Sequence, residues 1–176
     1  MISEETVLLI DAARDFAARA ERWVRIDAIL VTHGHRDAIG GLASLRRRWL
    51  GHNRSQPINI FLGGPTGQII HTRNKRFDHC RLHVGELAQP RRVGSFVVSA
   101  LVVPHARELR FTTFAWRGSA GARSVVYASD VAFLTPELRE FSAGATVLVL
   151  DGARRHKRLF SHLTLDDALP QPAPGQ

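Results

Sequence analysis

Cysteine is nearly absent. Cys80 is the only one in 176 residues, which excludes an intrachain disulfide and a zinc cluster built on several thiolates, and makes a cytoplasmic setting the expectation. Lysine is scarce as well: Lys75 and Lys157 are the only two among 24 basic residues. So strong an arginine bias reads as coding-DNA composition rather than as a binding surface. The formal net charge of +8 leaves nucleic acid open as a partner. The arginines are scattered, however (Arg46 to Arg48, Arg91 and Arg92, Arg154 and Arg155), where a nucleic-acid binder should cluster them. No apolar run approaches the roughly 18 to 20 residues needed to span a bilayer, so no membrane partner is expected. The opening residues MISEET are acidic rather than basic, so no signal peptide is expected. There is no internal repeat.

What is present suits one globular domain. An apolar content of 44% and a charged content of 23% are ordinary for such a domain. Short β-rich runs alternate with helical segments. Residues 6–10 (TVLLI) read as a buried strand ending at Asp11, and 12–24 as an amphipathic helix with Phe16, Ala20 and Trp23 on one side. Residues 27–32 form a second strand, after which Gly40 and Gly41 permit a sharp turn into a helix over 42–50. A strand over 57–62 leads through GGPTG into another helix, and 73–94 is polar and irregular by pattern. Strands follow at 95–103, 111–116, 124–129 and 146–150, the last with Val147, Leu148 and Val149 in the manner of a buried strand. Residues 135–141 read as a short helix with Thr135 as N-cap and Pro136 in its first turn. The domain is expected to span 1–169, with 170–176 a disordered tail.

The chemistry is concentrated where strands end. The run Thr32-His33-Gly34-His35-Arg36-Asp37-Ala38-Ile39-Gly40-Gly41 follows a hydrophobic strand directly. Two histidines two residues apart in extended backbone point to the same side and can share one metal ion. Asp37 can reach the same pocket. His105 follows the strand over 97–103, Asp130 ends the strand over 124–129, Asp151 ends the strand over 146–150, and His162 lies in SHLTLDDAL. His79, Cys80 and His83 lie close together without a second pair at zinc-finger spacing, and read as a surface loop. His52, His71 and His156 are given no role. Trp23, Trp49 and Trp116 read as core.

This pattern resembles the metallo-β-lactamase superfamily, whose hallmark is a strand followed by HxHxDHxxG, then a separate His, an Asp and a final His. The resemblance implies an α/β fold, a metallo-β-lactamase-like αββα sandwich, here shortened at both ends. It implies that His33, His35 and His105 form a first zinc site, that Asp130 bridges two metals and that Asp37 belongs to the second. The stretch 151–169 further resembles the phosphoribosyl cyclic phosphodiesterase-like branch, in which a histidine at the place of His162 assists proton transfer. Ala38 stands where the family has a second-site histidine, and the final metal-binding histidine is not found after His162. One zinc ion is therefore the expectation, with the second site incomplete.

The expected activity is hydrolysis of a phosphodiester in a small phosphate-containing substrate. In that reading Asp37 acts as general base and His162 as proton donor. Arg36, Arg107 and Arg154 are candidates for a phosphate contact, and solvated surface arginine is their simpler reading. The alternative is a degenerate binding or regulatory module, which Ala38 favours. A third reading, a nuclease of the tRNA-processing type, requires an inserted RNA-binding arm, and no long basic insertion is seen. Missing outer strands would expose sheet edges and apolar surface, which predicts a homodimer.

Overall fold

The computed structural model describes residues 1, 6–19, 26–43, 57–73, 80–85, 89–105, 112–156 and 159–169. Among the described residues, nine strands form two sheets. The first is wholly parallel, in the order β1 (Leu8–Ile10), β2 (Ala28–Leu30), β3 (Ile58–Leu62), β4 (Cys80–Val84). The second runs β5 (Arg91–Val93), β6 (Phe96–Val103), β7 (Thr113–Ala120), β8 (Arg123–Ala128), β9 (Val147–Leu150). It is antiparallel except for the last pair, in which β9 runs parallel to β8. The helices are α1 (Phe16–Arg19), α2 (Arg36–Ile39), α3 (Gly64–Arg73), α4 (Pro136–Ser142) and α5 (Leu165–Ala168).

Three apolar clusters define four layers. Leu8, Ala28, Leu30 and Phe61 of the first sheet meet Phe96, Val98, Phe114 and Trp116 of the second. The other face of the first sheet packs Ile29, Ile60 and Leu62 against Ala12, Leu42 and Ile70. The outer face of the second carries Ala115 and Ala128 under Leu138 of α4 and Leu163. Because β1 to β3 are covered on both faces, their residues are apolar almost continuously rather than in alternation, as expected of a buried parallel sheet. The result is the αββα sandwich that the sequence pattern predicted.

Several local expectations hold, and others need correction. Thr135 caps α4, its Oγ1 accepting from the Leu138 backbone N–H at 3.1 Å, with Pro136 in the first turn. The stretch 73–94, read as irregular, instead contains β4 and β5. Arg81, His83, Arg91 and Arg92 made it look like loop, since only alternate residues of each strand face apolar neighbours. The proposed His79-Cys80-His83 loop is accordingly strand at Cys80 and His83, while His79 lies outside the described residues. β9 is not a buried strand: Val147, Leu148 and Val149 are 40 to 49% exposed because it is an edge strand. Helical structure after the histidine pair begins at Arg36, before Gly40, and Gly40 has ordinary right-handed dihedrals. Its neighbour Gly41 serves close approach: a Cβ there would lie 2.1 Å from the Ala13 carbonyl oxygen. Trp116 is buried, whereas Trp23, Trp49 and most of the helix predicted at 42–50 lie outside the described residues, as does the 170–176 tail.

Candidate metal centre

The centre is built at the ends of the strands, where the chain leaves β2, β6 and β8. β2 delivers Thr32, and two ties to the second sheet fix it. The Phe114 backbone N–H donates to the Thr32 carbonyl at 2.9 Å, and Trp116 Nε1 donates to the Val31 carbonyl at 3.2 Å. His33 is thereby held between the sheets, 1% exposed. His35 follows on the same side as the N-cap residue of α2. Its ring centroid lies 4.7 Å from that of His33, and His105, just beyond β6, lies 5.2 and 5.8 Å from the two. The three rings stand edge to face, with one ligand nitrogen from each within 4.8 Å of the others.

Hydrogen bonds on the far side of the rings fix which nitrogen faces inward. Thr32 Oγ1 donates to Asp11 Oδ2 at 2.7 Å, so its oxygen can only accept from His33 Nδ1, 2.9 Å away. Asp11 Oδ1 also accepts the Thr32 backbone N–H at 2.7 Å. His105 Nδ1 donates to the Ser161 carbonyl at 2.8 Å. Burial lowers the pKa of His33, against the pull of Asp130 and Asp37, so that this ring is neutral and its Nε2 is left as a lone pair. Among the described residues, the buried His33 Nε2 has no hydrogen-bond partner. A buried unsatisfied nitrogen costs about 1 to 3 kcal/mol, and a cation is the partner that such a lone pair, facing two further imidazoles, calls for. The residues present therefore fit a metal ion, with His33, His35 and His105 as donors.

Carboxylates border this triad. Asp130 Oδ1 is 4.0 Å from His105 Nε2, and Asp130 Oδ2 accepts from Ser129 Oγ at 2.5 Å. Asp37, in the first turn of α2, brings Oδ1 to 3.8 Å from His33 Nε2 while remaining largely exposed. His162 joins from the chain before α5, its ring 5.0 Å from that of His105. Its Nδ1 donates to Asp151 Oδ2 at 2.8 Å, and the same oxygen accepts the Val131 N–H at 3.0 Å. A capping box between Thr164 and Asp167 pins the turn that follows. Two further ligand groups arise, His33-Asp37-Asp130 and His105-Asp130-His162, and each takes a histidine from the triad. The buried Ala38 methyl adds no donor.

All six site residues predicted from the sequence thus come together. Two further groups, Asp11 and Tyr127, carried no signal of their own: Asp11 read merely as the end of a strand, and Tyr127 as a strand residue. Burial drives Asp11 up to about 7, opposed by the Thr32 hydrogen bonds, and raises Tyr127 as well. A cavity of about 500 Å³ opens beside the triad, lined by Asp11, Asp37, Tyr127, Ser129, Asp130 and Arg19 among others. Of the arginines suggested for phosphate, Arg36 and Arg154 are exposed, and Arg107 lies outside the described residues.

The Asp11 relay makes a definite prediction. In Asp11→Asn the amide oxygen can still accept the Thr32 N–H, but the amide nitrogen must donate to Thr32 Oγ1. The hydroxyl then turns its proton to His33 Nδ1, which shifts the ring proton to Nε2 and removes the lone pair. Metal affinity, measured by competition with a chromophoric chelator, should fall by about 10- to 100-fold, while the melting temperature of the metal-free chain rises, since the buried carboxyl group is gone.

Comparison with known proteins agrees with this architecture. The model of the β-lactamase superfamily domain matches residues 6–171, and the chain belongs to that superfamily, the metallo-β-lactamase fold. None of the curated proteins matches. Among solved structures it is similar to a diphosphatase of the PhnP family, with 25% identity and a TM-score of 0.77 over 92% of this chain. It is similar also to Zn(2+)-bound PqqB from Methylobacterium extorquens, at 21% identity, a TM-score of 0.68 and 82% of this chain. The short form of human tRNase Z gives 18% identity and a TM-score of 0.73, covering 96% of this chain and 77% of its own. The chain spans 61% of the length of the diphosphatase and 56% of that of PqqB. Among the described residues no helix is long and apolar enough to cross a membrane.

Proposed function

We propose that the chain is a metal-dependent hydrolase of a phosphodiester in a small phosphate-containing substrate, acting through a single zinc ion on His33, His35 and His105. The observation that carries this reading is the buried, unpartnered Nε2 of His33 facing two further imidazoles. Three neutral imidazoles suit zinc, and Asp130 is the nearest candidate for a fourth ligand. One ion is favoured because both additional ligand groups borrow a nitrogen that the triad uses. When bound, zinc supplies a positive charge for a phosphate oxygen and a water acidified toward a pKa of about 7.

The remaining steps belong to the protein. Asp37, exposed beside the triad, accepts the proton of the attacking water. His162 delivers a proton from Nε2 to the departing oxygen, while Asp151 holds Nδ1–H and stabilises the ring when it is charged. The cavity beside Asp37 and Asp130 has room for a small phosphate ester. The PhnP-family diphosphatase at 25% identity lends this substrate class its support. A homodimer through β9 would cover its exposed Val147, Leu148 and Val149, and a cytoplasmic setting accords with the lone cysteine.

One observation favours a second reading, a binding or regulatory module: Ala38, buried beside Asp37, offers no ligand where the superfamily motif has histidine. Elemental mass spectrometry on protein purified without added metal, followed by assay with bis(p-nitrophenyl) phosphate, separates the two. About one zinc per chain with chelator-sensitive hydrolysis is expected. Metal without hydrolysis of any phosphodiester tested, or no metal even after zinc is supplied, would overturn the hydrolase and leave the module.

A further inference from the structure

The inner faces of a sandwich should be apolar, and at one edge of this molecule they are not. Residues paired in register share a face, so Asn59 and Arg81, like Phe61 and His83, project on the same side of β3 and β4. Phe61 belongs to the cluster between the sheets, which places all four on the inner side. Across from them, Arg91 is two residues from the buried Val93 and pairs with the buried Val98, so it too faces inward. Between these faces lies a cavity of about 590 Å³.

Its wall combines apolar and basic groups. Ile26, Pro57, Phe61 and Val93 supply the apolar part, and Arg91 and Arg92 two guanidinium groups. Among the described residues lining it, Asp27 is the single carboxylate, and its Oδ2 accepts the Val7 N–H at 2.8 Å among its interactions. His83 is held flat, its ring stacked on Phe61 at 4.5 Å and 13° and its Nε2 3.0 Å from Asn59 Oδ1. A cavity of this size with an apolar wall and a few oriented polar groups has the composition of a small-molecule site. Asp27, Pro57 and Asn59 stand at the starts of β2 and β3, whereas the metal ligands follow strand ends, so the two sites occupy opposite ends of the first sheet.

We propose that this cavity is a second binding site, for a small organic anion whose oxyanion head, phosphate or carboxylate, is held by Arg91 and whose apolar body lies against Pro57, Phe61 and Val93. A guanidinium takes either head through paired N–H donors. The site is independent of metal at the triad and of hydrolysis there.

The test titrates phenyl phosphate and, separately, benzoate into the full chain, reading calorimetric affinity together with the NMR signals of the His83 ring. Wild type, Arg91→Gln and His33→Ala are compared. Arg91 is exposed, so its replacement leaves the core intact. Saturable binding of at least one probe is expected, with movement of the His83 signals. It should weaken about tenfold or more in Arg91→Gln and persist in His33→Ala. The tighter probe identifies the head group. Binding that disappears in His33→Ala but survives in Arg91→Gln would put the anion at the metal centre and overturn the proposal. So would the absence of saturable binding, or binding that leaves the His83 signals unmoved.

Discussion

The His33→Ala variant is expected to lose its metal, falling from about one ion per chain to essentially none under the same purification. Of the triad, His33 is the ring with least freedom. It is buried, its Nδ1 is engaged by Thr32, and its Nε2 has no hydrogen-bond partner. Removing it leaves His35 and His105, two donors where a catalytic zinc site takes three from the protein. The same substitution relieves a buried unsatisfied nitrogen in the metal-free chain, so its metal-free form should lose less stability than a buried ring deletion usually costs. Elemental mass spectrometry checks the first expectation, and thermal melting in chelator the second. Metal retained at full stoichiometry would show that the ion sits elsewhere, with Asp130 and His162 as the obvious remaining donors.

The second large effect concerns turnover. His162→Gln is expected to lower kcat on a phosphodiester by about 10²- to 10⁴-fold, the usual contribution of a positioned general acid or base. Metal content should stay near that of the parent chain. The argument rests on how the ring is held: Asp151 fixes Nδ1–H, and Asp151 is itself fixed by the Val131 N–H, so the ring presents Nε2 beside His105 and Asp130. A substrate with a good leaving group needs little protonation of the departing oxygen. The loss should therefore be small for a p-nitrophenyl ester and large for an alkyl ester. An equal loss for both substrates would mean that His162 acts by positioning rather than by proton delivery, and a loss of metal would make it a ligand.

Much of this was legible in the sequence, for a physical reason. Buried strands ending near His33 and at Asp130 switch abruptly from apolar to ionisable residues, and such a switch has few explanations in a packed core. The layered order of strands and helices followed from the same apolar runs. What escaped detection depended on partners distant in the chain. Asp11 looks like any residue ending a strand until Thr32 is brought onto it by the parallel pairing of β1 and β2. The strands at Cys80–Val84 and Arg91–Val93 were hidden because they lie at sheet edges, where basic residues satisfy an inner face that closes on a cavity rather than on side chains. β9 was misjudged in the opposite sense: its composition is that of a core strand, but nothing among the described residues covers it.

Asp11 has a backbone φ of +58°, a left-handed conformation that disfavours most side chains, and burial raises the pKa of its carboxyl group to about 7. Both features work against folding, the first by about 1 to 3 kcal/mol. A library of variants selected for heat resistance alone should drift toward asparagine or glycine at this position, and the survivors would be well-folded proteins with a weakened hold on their ion. Thermostability and competence at the centre are thus opposed through one residue that is not itself a metal ligand.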